Sequence, residues 1–405
     1  MRAYERLLKY VIIHTASSEE SKATPTTQRQ FDLSKYLADE MRSIGLSDVF
    51  VDEHAYVYGH IPASAGFEAK TSIAFIAHLD TVPDFSGENV KPQITENYDG
   101  TAIELGTSGK VLDPAKFPHL NSLRGQTLIT TDGTTVLGAD DKAGIAEIMT
   151  AAERVINENI PHGEINICFT PDEEVGHGAA LLDMERLGAA VAYTVDGGEV
   201  NEINYETFNA AAAKWEITGF NIHPGDAKDK MINASLVAME INALLPPEEI
   251  PAKTEGYEGF FHLTDMSGSV EKAELSYIIR DHDAARFEAR KAQMGAVENT
   301  INAKYGAGTA KLAIKEQYRN MAEKIREHYE VVEIACRAIE RAGLVPVTEP
   351  IRGGTDGAQL SFRGLPCPNL GTGGYSFHGP FEHITAERMD TVTGIITDII
   401  KLFAE

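Results

Sequence analysis

The spacing of apolar residues changes character twice along this chain, and those two changes constrain the fold more than any other feature. Up to about residue 208, short β-rich runs alternate with helical patterns. SIAFIAHLD (72–80) is a near-continuous apolar run, as expected of a strand covered on both faces. EINICFT (164–170) alternates Ile165, Ile167 and Phe169 and stops at Pro171, and VAYTVDGG (191–198) ends in an acid and two glycines. Residues 28–44 read as a helix closed by Gly45. Ile145, Ile148, Met149, Ala152 and Ile156 predict a helix starting just after Asp140 and Asp141. Asp132-Gly133, between two β-prone runs in 128–140, predicts a hairpin. Such alternation predicts an α/β domain with a mixed, largely parallel sheet.

From about residue 209 the order becomes strand (214–220), helix (229–244, ended by Pro246-Pro247), strands (260–268 and 273–281), helix (284–304) and strand (311–318). That is the β-α-β-β-α-β order of a ferredoxin-like sandwich. The α/β character then resumes with a helix at 326–342, a Gly-rich tract at 352–380 and a last helix at 386–403. The expected organisation is therefore a main α/β domain, 1–208 and 321–405, interrupted by an inserted lid domain, 209–320. Hinges are expected near 205–212 and 318–324.

Charge narrows the partners. The 405 residues carry 36 Lys and Arg against 61 Asp and Glu, a formal net charge of −25. Such a surface repels phosphate backbones and anionic lipid, so neither nucleic acid nor membrane is expected as a partner. No uninterrupted apolar run approaches the roughly 18 residues of a membrane span. MRAYERLLKYVIIH carries Glu5, Arg6 and Lys9 inside its apolar pattern and reads as an amphipathic helix, not a signal peptide. Cys168, Cys336 and Cys367 are too few and too scattered for a disulfide framework or a Cys-rich zinc site. A cytoplasmic location is expected.

Histidines and acids recur at the ends of predicted strands, where open α/β sheets gather ligands. His78 and Asp80 share one face of a strand. Asp140 and Asp141 open a helix; taken alone they read as capping, which remains the simpler reading of Asp141. Asp172, Glu173 and Glu174 stand together in a Gly-rich loop. Three adjacent acids repel one another unless solvent or bound cations neutralise them. Asp196 follows a strand and could equally be a turn residue. His378 lies in GTGGYSFHGP, with His383 as its rival. Each piece has a plain structural reading. Together they supply two imidazoles and several carboxylates, a mix that suits two divalent ions sharing a bridging carboxylate. Imidazole favours zinc, and the oxygen-rich set would also accept manganese or cobalt.

These residues stand in long stretches that resemble one family. AHLDTVPDFSGENVKPQITENYDG (77–100), GQTLITTDGTTVLGADDKAGIAEIM (125–149), FTPDEEVGHGA (169–179), TVDGGE (194–199), FNIHPGDAKDKMINA (220–234) and RGGTDGAQLSFRGLPCPNLGTGG (352–374) carry the likeness. The chain resembles, over essentially its whole length, the tripeptide aminopeptidases among the dinuclear-zinc metallopeptidases related to aminoacylase and carboxypeptidase G. The resemblance implies that His78, Asp140 and Asp196 hold one metal. It implies that Asp140, Glu174 and His378 hold the other, Asp140 bridging. Asp80 would orient His78, Glu173 would be the general base, and the Asp140–Asp141 peptide would be cis. After His378 the chain departs from the family pattern, with Pro380-Phe381-Glu382-His383 where a more basic stretch is expected.

The expected activity is hydrolysis of the N-terminal peptide bond of tripeptides by a metal-bridged hydroxide, with proton transfer through Glu173. His223, in NIHPG, resembles the lid element that donates to the oxyanion, within its own chain or across a dimer. Arg280 and Arg352 could fork onto the substrate's C-terminal carboxylate, each with a surface salt bridge as its plain alternative. A lid bearing such groups would have to close on the metals. The expected partners are short peptides, and the resemblance leaves open a homodimer through the lid domain. The alternative is a relative with the same metals acting on N-acyl amino acids or as a carboxypeptidase.

Overall fold

Strand Ile73–His78, buried at every position, pairs parallel with Ile165–Thr170 on one side and Val191–Val195 on the other. Val191–Val195 in turn pairs parallel with Asn369–Leu370. In the computed structural model, which describes all residues 1–405, these four strands form the middle of a seven-stranded sheet. Ser47–Val51 and Val57–Ile61 extend one edge and Ile203–Asn204 the other, all by antiparallel pairing. A parallel strand needs cover on both faces, which is why its sequence is apolar without alternation. Ala74 and Ile76 pack on one face with Leu182, Leu187 and Leu360. Phe75 stacks on Tyr193, which meets Phe403 of the helix Ala386–Ala404.

The chain divides into two compact units: residues 1–205, 323–349 and 355–405 form the first, and 206–322 with 350–354 the second. In the first, helix Gln30–Ile44 ends at Gly45, whose φ of 101° lies in the left-handed region that glycine adopts without penalty. Asp140 and Asp141 open the segment Ala139–Asn157 with non-helical backbone, so the regular helix begins after them. No helix is long and apolar enough to cross a membrane.

The hairpin expected at 128–140 does not form. Only Leu128–Thr130 is a strand, and it pairs with His383–Thr385 and Gln93–Thr95. The reason lies in competing acceptors. The Asp132 carboxylate takes the Thr134 N–H at 2.9 Å, closing a local turn. The Leu137 and Gly138 N–H groups go to the Glu382 carboxylate, not to a returning strand.

The second unit is an antiparallel sheet in the order Phe260–Gly268, Lys272–Asp281, Asn209–Thr218, Ala310–Tyr318, with helices Ala234–Ala243 and Ala284–Tyr305. Lys272–Asp281 alternates buried and partly exposed residues, as a sheet covered on one face requires. Trp215, Leu275, Ile279 and Phe287 are the centre of its core. The first helix starts at Ala234, later than the periodicity predicts, because Asn233 caps it through the N–H groups of Ser235 and Leu236. Residues 350–354 join this unit through Ile351 N–H to Glu206 and Phe208 N–H to Gly353.

Candidate metal centre

The four parallel strands end on one edge of the sheet, and each delivers a polar group there. His78 is the last residue of its strand, and Asp196 directly follows Val195. Thr170 leads into Asp172-Glu173-Glu174, and Leu370 leads into the loop that carries His378. Asp140 comes from the loop ahead of the helix. This is the ligand-gathering edge of an open α/β sheet.

The groups converge. His78 Nε2 lies 2.9 Å from Asp140 Oδ1 and 3.7 Å from Asp196 Oδ1. His378 Nε2 lies 3.1 Å from both Asp140 Oδ2 and Glu174 Oε2. Asp140 thus stands between the two imidazoles, one oxygen toward each. The rival His383 is buried elsewhere, its Nε2 3.0 Å from that of His119. The Asp140–Asp141 peptide is cis. Asp141 does not cap the helix: it is fully buried, and its Oδ2 accepts the His78 backbone N–H at 3.1 Å. It also brings a ligand-capable oxygen within 4.8 Å of those of His78 and Asp196.

The three adjacent acids divide their directions. Asp172 turns inward, where its carboxylate accepts from Thr26 N–H, the Thr26 hydroxyl and Gln30 Nε2. Its positive φ of 59° makes that turn. The Glu173 and Glu174 N–H groups donate to Asp80 at 3.0 and 3.3 Å. Asp80 therefore holds this loop as well as lying beside His78, whose Nδ1 is 3.0 Å from the Asp80 carbonyl and 3.4 Å from its carboxylate.

Electrostatics follow from this crowding. Burial alone would lower His78, but Asp140, Asp196 and Asp80 hold it well above the usual imidazole range. Hydrogen bonding to Asp140 and Glu174 pushes His378 up to about 11. Burial opposes ionisation of Asp140, yet its bonds to His378 and His78 keep it well below the usual carboxylate range. Glu174 is pushed up to about 7 by burial and by the charge of Asp140. Burial and Asp196 raise Glu173 well above the carboxylate range. One buried oxygen of Glu174, Oε1, has no hydrogen-bond partner. Each imidazole is drawn toward its protonated form by acids whose charge a bound cation would otherwise balance.

Two further carboxylates escaped the sequence reading. Asp356 accepts the Thr170 hydroxyl at 2.9 Å, and its other oxygen is buried without a partner. It sits in RGGTDGAQLS, where an acid at a helix start reads as a capping-turn residue. Glu382, 1% exposed, accepts three N–H groups of the loop leading to Asp140. The three proposed substrate-binding residues lie in the second unit. His223 is exposed, its Nδ1 accepting Gly225 N–H. Arg280 donates to the carbonyls of Ala211 and Ile279. Arg352 donates to the carbonyls of Gly256 and Glu258 and to the Thr254 hydroxyl.

Comparison with known proteins gives this geometry a class. Residues 137–402 match the model of "Peptidase family M20/M25/M40". That stretch contains Asp140, Glu173, Glu174, Asp196 and His378 and begins after His78. The chain belongs to this peptidase family and is a metal-binding hydrolase, a metallo-aminopeptidase. Relatives that match it over its full length include proteins named peptidase T. That of Clostridium perfringens (strain 13 / Type A) is 52% identical over 405 residues, covering 100% of this chain and 99% of the relative. Among solved structures, aminopeptidase PepT from Bacillus cereus superposes with a TM-score of 0.80 at 26% identity, over 100% of this chain and 98% of that one. A dinuclear metal binding peptidase from Bacillus subtilis shares the fold at a TM-score of 0.65 and 16% identity, over 98% of each chain.

Proposed function

We propose that the chain is a cytoplasmic tripeptide aminopeptidase carrying two divalent ions. His78, Asp140 and Asp196 would hold one, and Asp140, Glu174 and His378 the other. The observation that carries this reading is the convergence of two imidazoles and three carboxylates from five separate segments, with Glu173 near enough to feel the charges of Asp196 and His78. The donor set suits the ions: each triplet combines an imidazole with carboxylates, and a Glu174 oxygen is buried without a partner. Imidazole favours zinc, and manganese or cobalt would also be accepted. Bound there, the ions would supply acidified water near neutral pH and polarise the scissile carbonyl.

The chain's own residues do the rest. Glu173 takes a proton from the attacking water and returns it to the departing nitrogen, a transfer worth about 10²–10⁴-fold. Asp80 orients the His78 ring. His223 is proposed as a donor to the oxyanion, and Arg280 and Arg352 as forks for the substrate's C-terminal carboxylate. Arg352 would first have to release the carbonyls of Gly256 and Glu258. A second copy of the chain is the proposed partner of the second unit. Its helix Ala234–Ala243 leaves Leu236 and Met239 60% or more exposed, and Phe260–Gly268 is an edge strand.

The test compares zinc-loaded protein on free and N-acetylated tripeptides, and repeats the assay with Glu173→Ala. Free tripeptides should be preferred, and the variant should keep its metal while losing about 10²–10⁴-fold in turnover. Equal rates on acetylated peptides would defeat the aminopeptidase reading. Unchanged turnover in Glu173→Ala would remove Glu173 from the chemistry.

A further inference from the structure

We propose that Glu382 is a positioning residue that fixes the spacing between Asp140 and His378, and that its loss weakens the ion these two residues share. The inference rests on the reading of both as metal ligands. Glu382 touches neither the reacting atoms nor, in that reading, a metal.

Residues 131–138 belong to no regular element, so their N–H groups need partners from elsewhere. The Glu382 carboxylate supplies them. Its Oε2 accepts Leu137 N–H at 2.7 Å and Gly138 N–H at 2.8 Å, and its Oε1 accepts Asp140 N–H at 2.9 Å. Bonds from amides to a buried carboxylate are about twice as strong as neutral ones. The backbone they hold could not hold itself: Gly138 sits at φ 79° and Asp140 at φ −84°, ψ 103°, outside any helix ladder. Buried Lys142, at the start of the regular helix, interacts with the Glu382 charge, and its Nζ donates to the Ile13 carbonyl.

The other end of Glu382 is equally fixed. Tyr375 and His383 exchange backbone hydrogen bonds at 2.9 and 3.1 Å, closing the loop that carries His378. Glu382 N–H donates to the Gly379 carbonyl within that loop. His383–Thr385 then pairs with Leu128–Thr130, immediately ahead of the Asp140 loop. Glu382 is thus the side-chain clasp between two loops, one presenting Asp140 and the other His378, whose facing atoms stand 3.1 Å apart. His78 and Asp196 depend on strand ends instead. Removing the clasp should therefore loosen the Asp140–Glu174–His378 group more than the His78–Asp196 side.

Glu382→Gln tests this in the full chain, because it keeps the shape but replaces one acceptor oxygen with an amide NH2, a donor that faces an N–H. Zinc is titrated into chelator-treated wild type and variant, and amide exchange over 131–140 is followed in both without metal. Wild type should take up two ions. In the variant one ion should weaken by about 10–100-fold and the other far less, as expected for a group that orients ligands. Excess zinc should restore its turnover, which loss of folding would not allow. The amides of Leu137, Gly138 and Asp140 should exchange at least about tenfold faster. Two ions bound as tightly as in wild type would overturn the proposal. Wild type failing to bind a pair would instead refute the metal-centre reading, and unchanged amide exchange would still refute the clasp. Should the variant not fold, metal-free wild type decides: these three amides must be protected about a hundredfold over free peptide, and unprotected amides overturn the proposal.

Discussion

Gly144→Ala sets two physical effects against each other at one atom. Gly144 lies inside the helix Ala139–Asn157, where alanine is intrinsically better by about 1 kcal/mol. A methyl group there would stand 1.9 Å from the Val195 carbonyl oxygen and 2.5 Å from Asp141 Oδ1, whereas real contacts do not fall below 3.0 Å. Opening the first contact from 1.9 to 3.0 Å requires a movement of about 1.1 Å. The obstacle is backbone, which cannot rotate aside as a side chain can. Overpacking of this kind costs about 1–3 kcal/mol, so the helix gain is outweighed. The strand end that must move is the one carrying Asp196. A displacement of about 1 Å in a catalytic site can cost 10²-fold in rate. The expected variant is folded, melts a few degrees lower and hydrolyses tripeptides about 10²-fold more slowly at saturating zinc. Calorimetry and a steady-state amine-release assay measure both. A variant that melts higher than wild type, with turnover within about twofold, would show that helix propensity governs this position and that the close approach is not a constraint.

Two other perturbations follow from buried groups. Asp172→Ala strands the Thr26 N–H, the Thr26 hydroxyl and the Gln30 amide in the interior, at a cost of about 3 kcal/mol in denaturant unfolding. A loss below about 0.5 kcal/mol would mean water replaces the carboxylate freely. His383, fully buried, is pushed down to about 4 by burial. The unfolded chain takes up that proton near pH 6.5 and the folded chain only near 4, so stability present above 6.5 should fall by about 3 kcal/mol on acidification through that window. His383→Gln should flatten the wild-type slope between pH 6.5 and 4, and an identical slope would exclude His383 as its source.

What could be read along the chain was whatever leaves a local mark. Ile73–His78 and Val191–Val195 announced themselves because a strand buried on both faces is apolar almost throughout, and Ile165–Thr170 through the alternation of Ile165, Ile167 and Phe169. The antiparallel sheet of the second unit was legible from element order alone, since few packings suit that order. The failures were non-local. Asp132-Gly133 has the composition of a hairpin turn, but Glu382, 245 residues from Leu137, takes the amides a second strand would need. Residue type did not distinguish Asp172 from Glu173 and Glu174, nor mark Asp356 at all; their partners Thr26, Gln30 and Thr170 are brought to them only by the fold. Arg280 and Arg352 looked free for an anion because their carbonyl partners leave no trace in residue type. Residue identity marks a group as titratable; only the fold says what it faces.

Placing Asn369–Leu370 between Val191–Val195 and Ile203–Asn204 has a consequence for biosynthesis. A chain emerging from the ribosome can assemble its earlier strands, but one flank of Val191–Val195 stays vacant until some 370 residues have been made. His378 arrives later still. If the donor set is the one proposed, the nascent polypeptide lacks its second imidazole until residue 378 has been added. On the metal-centre reading, hydrolytic competence is withheld until that strand and the loop behind it have been made.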